Sequence, residues 1–216
     1  MRAGRRTLAT FAVAFAVGAS LSAHRRDEHL QAARIAIEPE HVDVDLDITP
    51  GADLAEAAIL AIDGDRDGTL SPAEQDAYAQ SVAGALWLAT NGEAHTLRLV
   101  SATFPDPAAM RRGEGTIALR LRAALGGDVL GGDGELIFGN GHQPAHSVYL
   151  ANALVPRSPR VTVRGQRRSP TQHELTIAYT LAPEDAPYPA ARIVWTLAAV
   201  LVVLPIVRHV LAQRRG

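Results

Sequence analysis

The chain contains no cysteine and no lysine, and aromatic residues are sparse, with two Trp, four Tyr and four Phe among 216 residues. The absence of cysteine excludes a disulfide framework and leaves the redox compartment undetermined. All 21 basic residues are arginine, which we interpret as compositional bias rather than function. The aromatic residues do not interleave with basic ones as they do on nucleic-acid-binding surfaces, so we expect no nucleic-acid partner.

Recognisable catalytic motifs are also missing. The sequence has no nucleophile elbow around a serine, no zinc-hydrolase helix motif and no glycine-rich phosphate loop. We therefore do not expect an enzyme. The length is sufficient for one ordinary domain with attached segments.

Charge is segregated along the chain, although the formal net charge is only −2. Residues 24–188 hold 14 Arg and all 23 acidic residues, a net charge of −9, and the other seven Arg lie near the two ends. A basic start, an acidic middle and a basic end are typical of an exported domain that is tethered to a membrane.

The most specific motif is segment 63–74, which matches the calcium-loop pattern D-x-[DN]-x-[DN]-G-x5-E at every fixed position. Ca²⁺ takes about six to eight oxygen ligands at about 2.3–2.6 Å. The spacing predicts carboxylates on alternate residues, a sharp turn at Gly68 and a bidentate carboxylate at position twelve. The predicted Ca²⁺ ligands are Asp63, Asp65, Asp67, the Thr69 carbonyl, Ser71 directly or through water, and Glu74.

Helical patterns flank this loop. Apolar residues recur four apart at positions 54, 58 and 62 before it and at 78, 82 and 86 after it, and Pro72 suits a helix start. Residues 52–86 therefore resemble an EF-hand. EF-hands usually pair, and the sequence contains no second loop. The alternative is an Asp-rich turn that caps a helix and binds no metal.

The rest of residues 24–182 has β patterns. Residues 41–49 alternate apolar residues with Asp43, Asp45 and Asp47, which predicts a strand with one buried face. Carboxylates at this spacing lie about 7 Å apart, too far for one ion, so we interpret them as a solvated face. Asn91-Gly92 predicts a hairpin turn.

Nine strands are predicted, at residues 30–37, 41–49, 86–89, 94–101, 116–123, 135–138, 147–154, 160–167 and 173–181. Residues 105–115 are a predicted loop, and the glycine-rich segment 126–134 is predicted to be mobile. These patterns favour a mainly β fold, an immunoglobulin-like β-sandwich. The EF-hand at 52–86 is then an insertion between the second and third strands.

Several segments of this β region resemble a known family. They are DEHLQA at 27–32, TPG at 49–51, FP at 104–105, GEGTI at 113–117 and VYLANALVP at 148–156. They are similar to periplasmic β-rich domains of bacterial EF-hand proteins, which also occur fused to membrane modules of the HupE/UreJ type. That transporter family is associated with nickel. The resemblance implies a location in the cell envelope.

Residues 1–23 are typical of an export signal, with a basic start and a short apolar run. Ala23 is the predicted cleavage residue, and an uncleaved anchor is the alternative. Cleavage would leave His24 first, where its amine and imidazole could chelate Cu or Ni. An exposed histidine at a frayed terminus is the simpler interpretation.

Residues 193–207 form an apolar run between Arg192 and Arg208. As a helix it rises about 22 Å, less than the roughly 30 Å hydrocarbon core, but snorkelling of both arginines extends it. We predict a linker at 183–191, a transmembrane helix at 192–212 and a cytoplasmic tail at 213–216. A buried C-terminal helix is the alternative.

Two further groups have alternative interpretations. His142 and His146 lie four residues apart, but Pro144 between them favours a loop, and the absence of a carboxylate or Cys at ligand spacing favours incidental histidines. The basic run of Arg160, Arg164, Arg167 and Arg168 predicts a solvated strand face, or else one that docks on lipid head groups.

Together the patterns predict an exported calcium-binding module in the bacterial periplasm. One C-terminal helix holds it in the lipid bilayer of the inner membrane, where it binds or assists a membrane-protein partner. The alternative is an accessory subunit of a nickel, cobalt or copper transport system that uses His24, His142 and His146.

Overall fold

The computed structural model describes residues 26–126 and 132–184, and its sheets follow from alternating burial along the strands. In strand β2 (His41–Pro50) every second residue is buried, beginning with Val42. Successive side chains of a strand point to opposite faces, so one face of β2 lies on the core. The predicted strand with one buried face is confirmed.

The described residues form two five-stranded sheets, and a mainly β fold is confirmed. The first sheet has the order β5-β6-β2-β1-β8. Its other strands are β1 (His29–Ile37), β5 (Arg98–Thr103), β6 (Ile117–Ala124) and β8 (Ser147–Ala153). The second sheet has the order β4-β3-β7-β10-β9. Its strands are β3 (Leu86–Thr90), β4 (Glu93–His95), β7 (Gly132–Asn140), β9 (Val161–Arg168) and β10 (Glu174–Leu181).

Three helices accompany the sheets within the described ranges: α1 (Ala55–Ile62), α2 (Pro72–Gly84) and α3 (Pro107–Arg111). Buried apolar residues from both sheets and all three helices form one hydrophobic core cluster. Helices α1 and α2 connect β2 of the first sheet to β3 of the second. The predicted helical segment between the second and third strands is therefore present.

The strand registers place the helices at one end of both sheets. The first residue of β1, His29, pairs with Pro50 at the end of β2, and Leu86 at the start of β3 pairs with Asn140 at the end of β7. We call this the helical end. Strand β8 runs parallel to β1, and β10 runs antiparallel to β7. Both therefore finish at the opposite end, which we call the exit end.

The hairpin prediction is confirmed, and the strand prediction after it is wrong. Asn91 and Gly92 have φ of 50° and 85° and join β3 to β4 by a two-residue turn, as expected for a type I′ hairpin. The predicted strand at 94–101 is instead two strands, β4 in the second sheet and β5 in the first. The chain changes sheets here, as it does at the corners of two-sheet folds, and local alternation does not reveal that change.

The predicted loop at 105–115 contains α3. Asp106 caps this helix, since its Oδ1 accepts a hydrogen bond from the backbone N–H of Ala108 at 2.7 Å, and Pro107 occupies the first turn. The glycine-rich segment 126–134 is shorter than predicted, because β7 begins at Gly132. Residues 127–131 lie outside the described residues.

The acidic face of β2 is paired with arginines. Arg122 donates from Nε and Nη2 to the two carboxylate oxygens of Asp43 at 2.6 and 3.0 Å, and Arg34 Nη1 donates to Asp47 at 2.8 Å. Hydrogen bonding to Arg122 lowers the pKa of Asp43. These ion pairs agree with the interpretation of a solvated face. Strand β9, which contains Arg164, Arg167 and Arg168, lies in the other sheet, and Arg160 directly precedes it.

Several predictions concern residues outside the described ranges. These are the export signal at 1–23, His24, most of the linker at 183–191, the transmembrane helix at 192–212 and the tail at 213–216. Among the described helices, none has the length and apolar character that crossing a membrane requires.

The cross-strand pair of Trp87 and Gly139 provides a test of the second sheet. A Cβ at Gly139 would overlap the Trp87 indole, which lies directly over it. We expect Gly139→Ala to reduce the free energy of unfolding by about 1–3 kcal/mol, the usual cost of overpacking. Gly165→Ala on β9 is the matched control, because a Cβ there meets open space. Equal urea midpoints for the two variants would contradict the described packing.

Candidate metal centre

Helix α1 fixes the first residue of the candidate loop. Its buried face consists of Ala55, Ala58, Ile59 and Ile62. Asp63 follows as the C-cap, and its N–H donates to the Ile59 carbonyl at 2.8 Å. Asp63 is consequently only 3% exposed, although the next six residues of the loop are exposed. Packing of α1 on the core therefore sets the position of the Asp63 carboxylate.

Helix α2 fixes the last residue of the loop through a capping box. The Ser71 hydroxyl accepts from the Glu74 N–H at 3.4 Å, and Glu74 Oε2 accepts from the Ser71 N–H at 2.9 Å and hydroxyl at 2.7 Å. Pro72 occupies the first turn. The sequence S-P-A-E encodes this start locally, so the predicted helix beginning at Pro72 is confirmed.

The other oxygen of Glu74 closes the loop. Glu74 Oε1 accepts from the backbone N–H groups of Gly64 at 2.7 Å and Asp65 at 3.3 Å. This carboxylate thus joins position twelve of the loop to positions two and three. The hydrogen bond from the Ser71 hydroxyl, with smaller contributions from the backbone N–H groups, lowers the pKa of Glu74 to about 2. Glu74 therefore carries its negative charge at neutral pH.

The three aspartates of the loop lie together. Carboxylate oxygens of Asp63, Asp65 and Asp67 lie within 4.8 Å of one another. Asp63 accepts from the N–H groups of Asp67 at 3.1 Å and Gly68 at 3.0 Å, which folds the loop around it. Gly68 adopts φ of 84°, a conformation that side chains disfavour. The sharp turn predicted at Gly68 is confirmed.

This arrangement fits a hard divalent cation. Two oxygens that both ligate one Ca²⁺ at about 2.3–2.6 Å are at most about 5 Å apart, and the measured limit of 4.8 Å falls within that range. Carboxylates this close repel each other unless a cation intervenes. Three aspartate oxygens, with a fourth carboxylate across the loop, form an oxygen-rich donor set. Such a set suits Ca²⁺ better than it suits softer metals.

The structure distributes the predicted ligands unevenly. Asp63, Asp65 and Asp67 form the cluster, whereas Glu74 lies across the loop on backbone amides and outside that 4.8 Å group. The hydroxyl of Ser71 contacts Glu74. Thr69 donates from its N–H and its hydroxyl to Asp67 Oδ1 at 2.8 and 2.6 Å. Metal binding by these six residues remains a prediction.

Leu70 and α2 attach the loop to the core. Leu70 is partly buried against the hydrophobic core, and Gln75 Nε2 donates to its carbonyl at 2.7 Å. Tyr78 and Val82 on α2 are buried, and the Tyr78 ring makes an edge contact with Phe104. The sheets and their connections therefore provide the support that a partner loop provides in a paired EF-hand.

His142 has a structural role in the described residues. Its Nε2 lies 3.2 Å from the Tyr78 hydroxyl, and the two rings meet edge to face with centroids 5.8 Å apart. Burial, with a smaller contribution from His29, lowers the pKa of His142 to about 4, and burial raises the pKa of Tyr78 to about 12. At neutral pH we therefore infer that the Tyr78 hydroxyl donates to a neutral His142.

For the alternative metal role of the histidines, residues 26–126 and 132–184 contain no cluster of three ligating side chains with a histidine. The group of metal-ligating side chains within 4.8 Å of one another is the aspartate cluster, and it contains no histidine. His146 is exposed in a 3₁₀ turn at Pro144–His146, and His142 is directed at Tyr78. His24 lies outside the described residues.

A buried polar network around Gln31 was not predicted. Gln31 is 1% exposed, and its Nε2 donates to the His142 carbonyl at 2.9 Å and the Ser147 hydroxyl at 2.7 Å. Asn140 Nδ2 donates to Gln31 Oε1 at 2.8 Å, and Tyr149 donates to the His142 carbonyl at 2.7 Å. The available signal was that Gln31 alternates with Ala33, Ile35 and Ile37 on one face of the strand, since buried polar groups need partners.

Comparisons with known proteins identify no relative of this chain: no family model, no curated protein and no solved structure matches it.

His29, which is buried, and His142, which is half-buried, predict a specific pH dependence of stability. An unfolded histidine has a pKa of about 6.5, so between about pH 6.5 and pH 4 the unfolded chain binds more protons than the folded chain. The free energy of unfolding should therefore fall as pH decreases through this window. His29, whose pKa is also lowered by burial, contributes in the same direction.

Replacing His142 should remove part of this slope. We expect His142→Gln to flatten the decrease of unfolding free energy between pH 6.5 and 4.5, measured by urea unfolding at each pH. The matched control is His173→Gln, because His173 is exposed. Glu74 affects the free energy of unfolding in a separate pH window, from its ordinary pKa of 4.5 down to about 2. An unchanged slope in His142→Gln would contradict the lowered pKa of His142.

Proposed function

We propose that this protein is an exported calcium-binding module, anchored in the bacterial inner membrane by one C-terminal helix, with its main domain in the periplasm. The observation that carries calcium binding is the clustering of Asp63, Asp65 and Asp67 within 4.8 Å, in a loop that Glu74 closes. The helices on both sides give this loop the surroundings of an EF-hand.

The finer description of the fold is also a proposal. Two five-stranded, mostly antiparallel sheets that share one hydrophobic core favour an immunoglobulin-like sandwich. The pairing of β1 with β8 is parallel and departs from an otherwise antiparallel arrangement. The likeness to periplasmic domains associated with HupE/UreJ-type membrane proteins remains a sequence resemblance.

The membrane anchor and the location rest on sequence. The apolar run at 193–207, the arginines around it and the export signal at 1–23 support them. We propose a binding or accessory role toward a membrane-protein partner, without catalysis. For the alternative of nickel, cobalt or copper handling through His24, His142 and His146, the described residues contain no cluster of three ligating side chains with a histidine.

Calcium binding predicts ligand-dependent stability. Ca²⁺ relieves the repulsion among the loop carboxylates in the folded chain, so it should raise the melting temperature of a fragment spanning residues 24–188. At a Ca²⁺ concentration of 100 times Kd the stabilisation is about 2.7 kcal/mol. Glu74→Gln should abolish most of this gain, because an amide cannot replace a bidentate carboxylate. Calorimetry and thermal unfolding with and without Ca²⁺ measure both effects.

The choice of glutamine keeps the fold intact. Glutamine at this position preserves an acceptor for the capping box with Ser71, but its single oxygen cannot also accept from Gly64 and Asp65. Glu74→Gln should therefore keep the fold and unfold without Ca²⁺ at a somewhat lower temperature than the wild type. Asp76→Asn is the charge-matched control, since Asp76 is an exposed acid of α2 outside the loop. Absence of heat from Ca²⁺ binding at millimolar concentration would refute the proposed function.

The contacts of α2 predict how far ordering by Ca²⁺ extends. Helix α2 continues directly into β3, so hydrogen-exchange protection should increase in residues 54–100. Through the Tyr78–His142 contact it should also reach residues 141–147. Residues 160–181 should not change, because they lie on the far strands of the second sheet.

A single substitution tests the route of this effect. Tyr78→Phe removes the hydroxyl but keeps the ring, so the Ca²⁺-dependent protection of residues 141–147 should decrease while that of 54–100 remains. Hydrogen exchange followed by mass spectrometry measures both segments. Changes of equal size across residues 160–181 would favour a global switch and contradict local ordering.

A further inference from the structure

An exposed apolar loop lies at the exit end of the sheets. Residues 154–160, which we call the exit loop, connect β8 to β9. Val155 is 90% exposed and Leu154 beside it is 38% exposed. An open depression of ≈ 600 Å³ adjoins them, lined by residues 153–159 and 161–163. Exposed apolar side chains grouped in this way indicate an interaction surface.

The exit loop has a fixed backbone. The Leu154 N–H donates to the Ile35 carbonyl at 2.8 Å. The N–H groups of Arg157 and Ser158 donate to the two carboxylate oxygens of Glu38 at 2.9 and 3.1 Å, and Glu38 is only 7% exposed. These bonds hold Val155 outward on an ordered loop, so binding through it costs little additional conformational entropy.

The loop is joined to the place where the chain leaves the sheets. The Ala182 N–H donates to the Arg160 carbonyl at 2.8 Å, and Arg160 Nε donates to the Ala182 carbonyl at 3.2 Å. Eight residues, 185–192, separate the last described residue from the apolar run at 193–207. They span at most about 29 Å. The exit loop therefore lies at the end of the domain from which the chain continues toward that run.

The charges of the loop suit phosphate groups. Arg157 and Arg160 flank the apolar tip, and guanidinium groups bind phosphate oxygens well. Three nearby carboxylates are already engaged. Glu38 accepts the two loop amides, Asp43 near Arg157 accepts from Arg122 at 2.6 Å, and Asp133 pairs with Arg164 at 3.2 Å. Exposed carboxylates at this end include those of Glu40 and Glu184. An apolar tip between two arginines matches the boundary between lipid head groups and acyl chains.

We propose that the exit loop docks on the lipid bilayer in which the chain is anchored. Leu154 and Val155 enter the interfacial region, and Arg157 and Arg160 contact head-group phosphates. This inference rests on the membrane anchor of the proposed function and adds an orientation to it. The helical end then points away from the bilayer by the length of the sheets, about 30 Å for the nine residues of β1.

The absence of cysteine makes a direct test possible. Val155→Cys in the full-length protein provides a single thiol for a nitrobenzoxadiazole label, and Leu60→Cys is the matched control, because Leu60 is 51% exposed on α1 at the helical end. Both proteins are reconstituted into vesicles of phosphatidylcholine with phosphatidylglycerol. The emission maximum and the quenching by nitroxide-bearing lipids are measured without Ca²⁺, so the result does not depend on the metal site.

The expected result is a blue-shifted emission and lipid quenching for the label at 155, and neither for the label at 60. A blue shift without lipid quenching would mean that a protein segment, such as the apolar run at 193–207, covers the loop, and would overturn lipid docking. If the label at 155 reports an aqueous environment on protein that floats with the vesicles, lipid docking would also be overturned. The proposed membrane anchor would not be affected. Protein that does not float would refute both.

A second variant tests the arginines. A basic residue near an anionic surface contributes about 1 kcal/mol, or roughly fivefold in binding. Arg157→Gln should therefore reduce the ratio of docked to undocked label at 155 about fivefold in vesicles with phosphatidylglycerol. Arg112→Gln, at the helical end, is the matched control and should have no effect. Equal docking in both variants would contradict the phosphate contacts.

Discussion

The loop between α1 and α2 depends on one carboxylate. Glu74 joins the first turn of α2 to the beginning of the loop, because one oxygen accepts from Ser71 and the other from Gly64 and Asp65. The same side chain therefore caps a helix and closes a candidate metal site. A turn that merely caps a helix would need only the first of these contacts, whereas the second joins the two ends of the loop.

The loop is connected to the sheets by contacts that are distant in sequence. Tyr78 of α2 meets His142 in the connection between β7 and β8, and Gln31 of β1 holds the carbonyl of that histidine. At the helical end, polar contacts thus lie over the hydrophobic core. Polar networks of this kind specify one arrangement, since each member is costly to bury without its partners.

The sequence predicted what is encoded locally. The hairpin at Asn91-Gly92, the alternation of β2 and the start of α2 depend on neighbouring residues, and all three are present. The division of residues 94–101 between two sheets depends on where distant strands lie, so alternation could not reveal it. For the site, the aspartate cluster follows from spacing alone. The Tyr78–His142 contact joins residues 64 apart and had no local signal.

The separation of the helical end from the exit end has an electrostatic consequence. A charged bilayer enriches divalent cations at its surface, and this enrichment decays over a Debye length of about 8–10 Å at physiological ionic strength. In the proposed orientation the aspartate cluster lies about 30 Å from the bilayer, beyond the far end of β1. Its occupancy would then follow the cation concentration of the bulk compartment and be independent of the lipid composition beneath it.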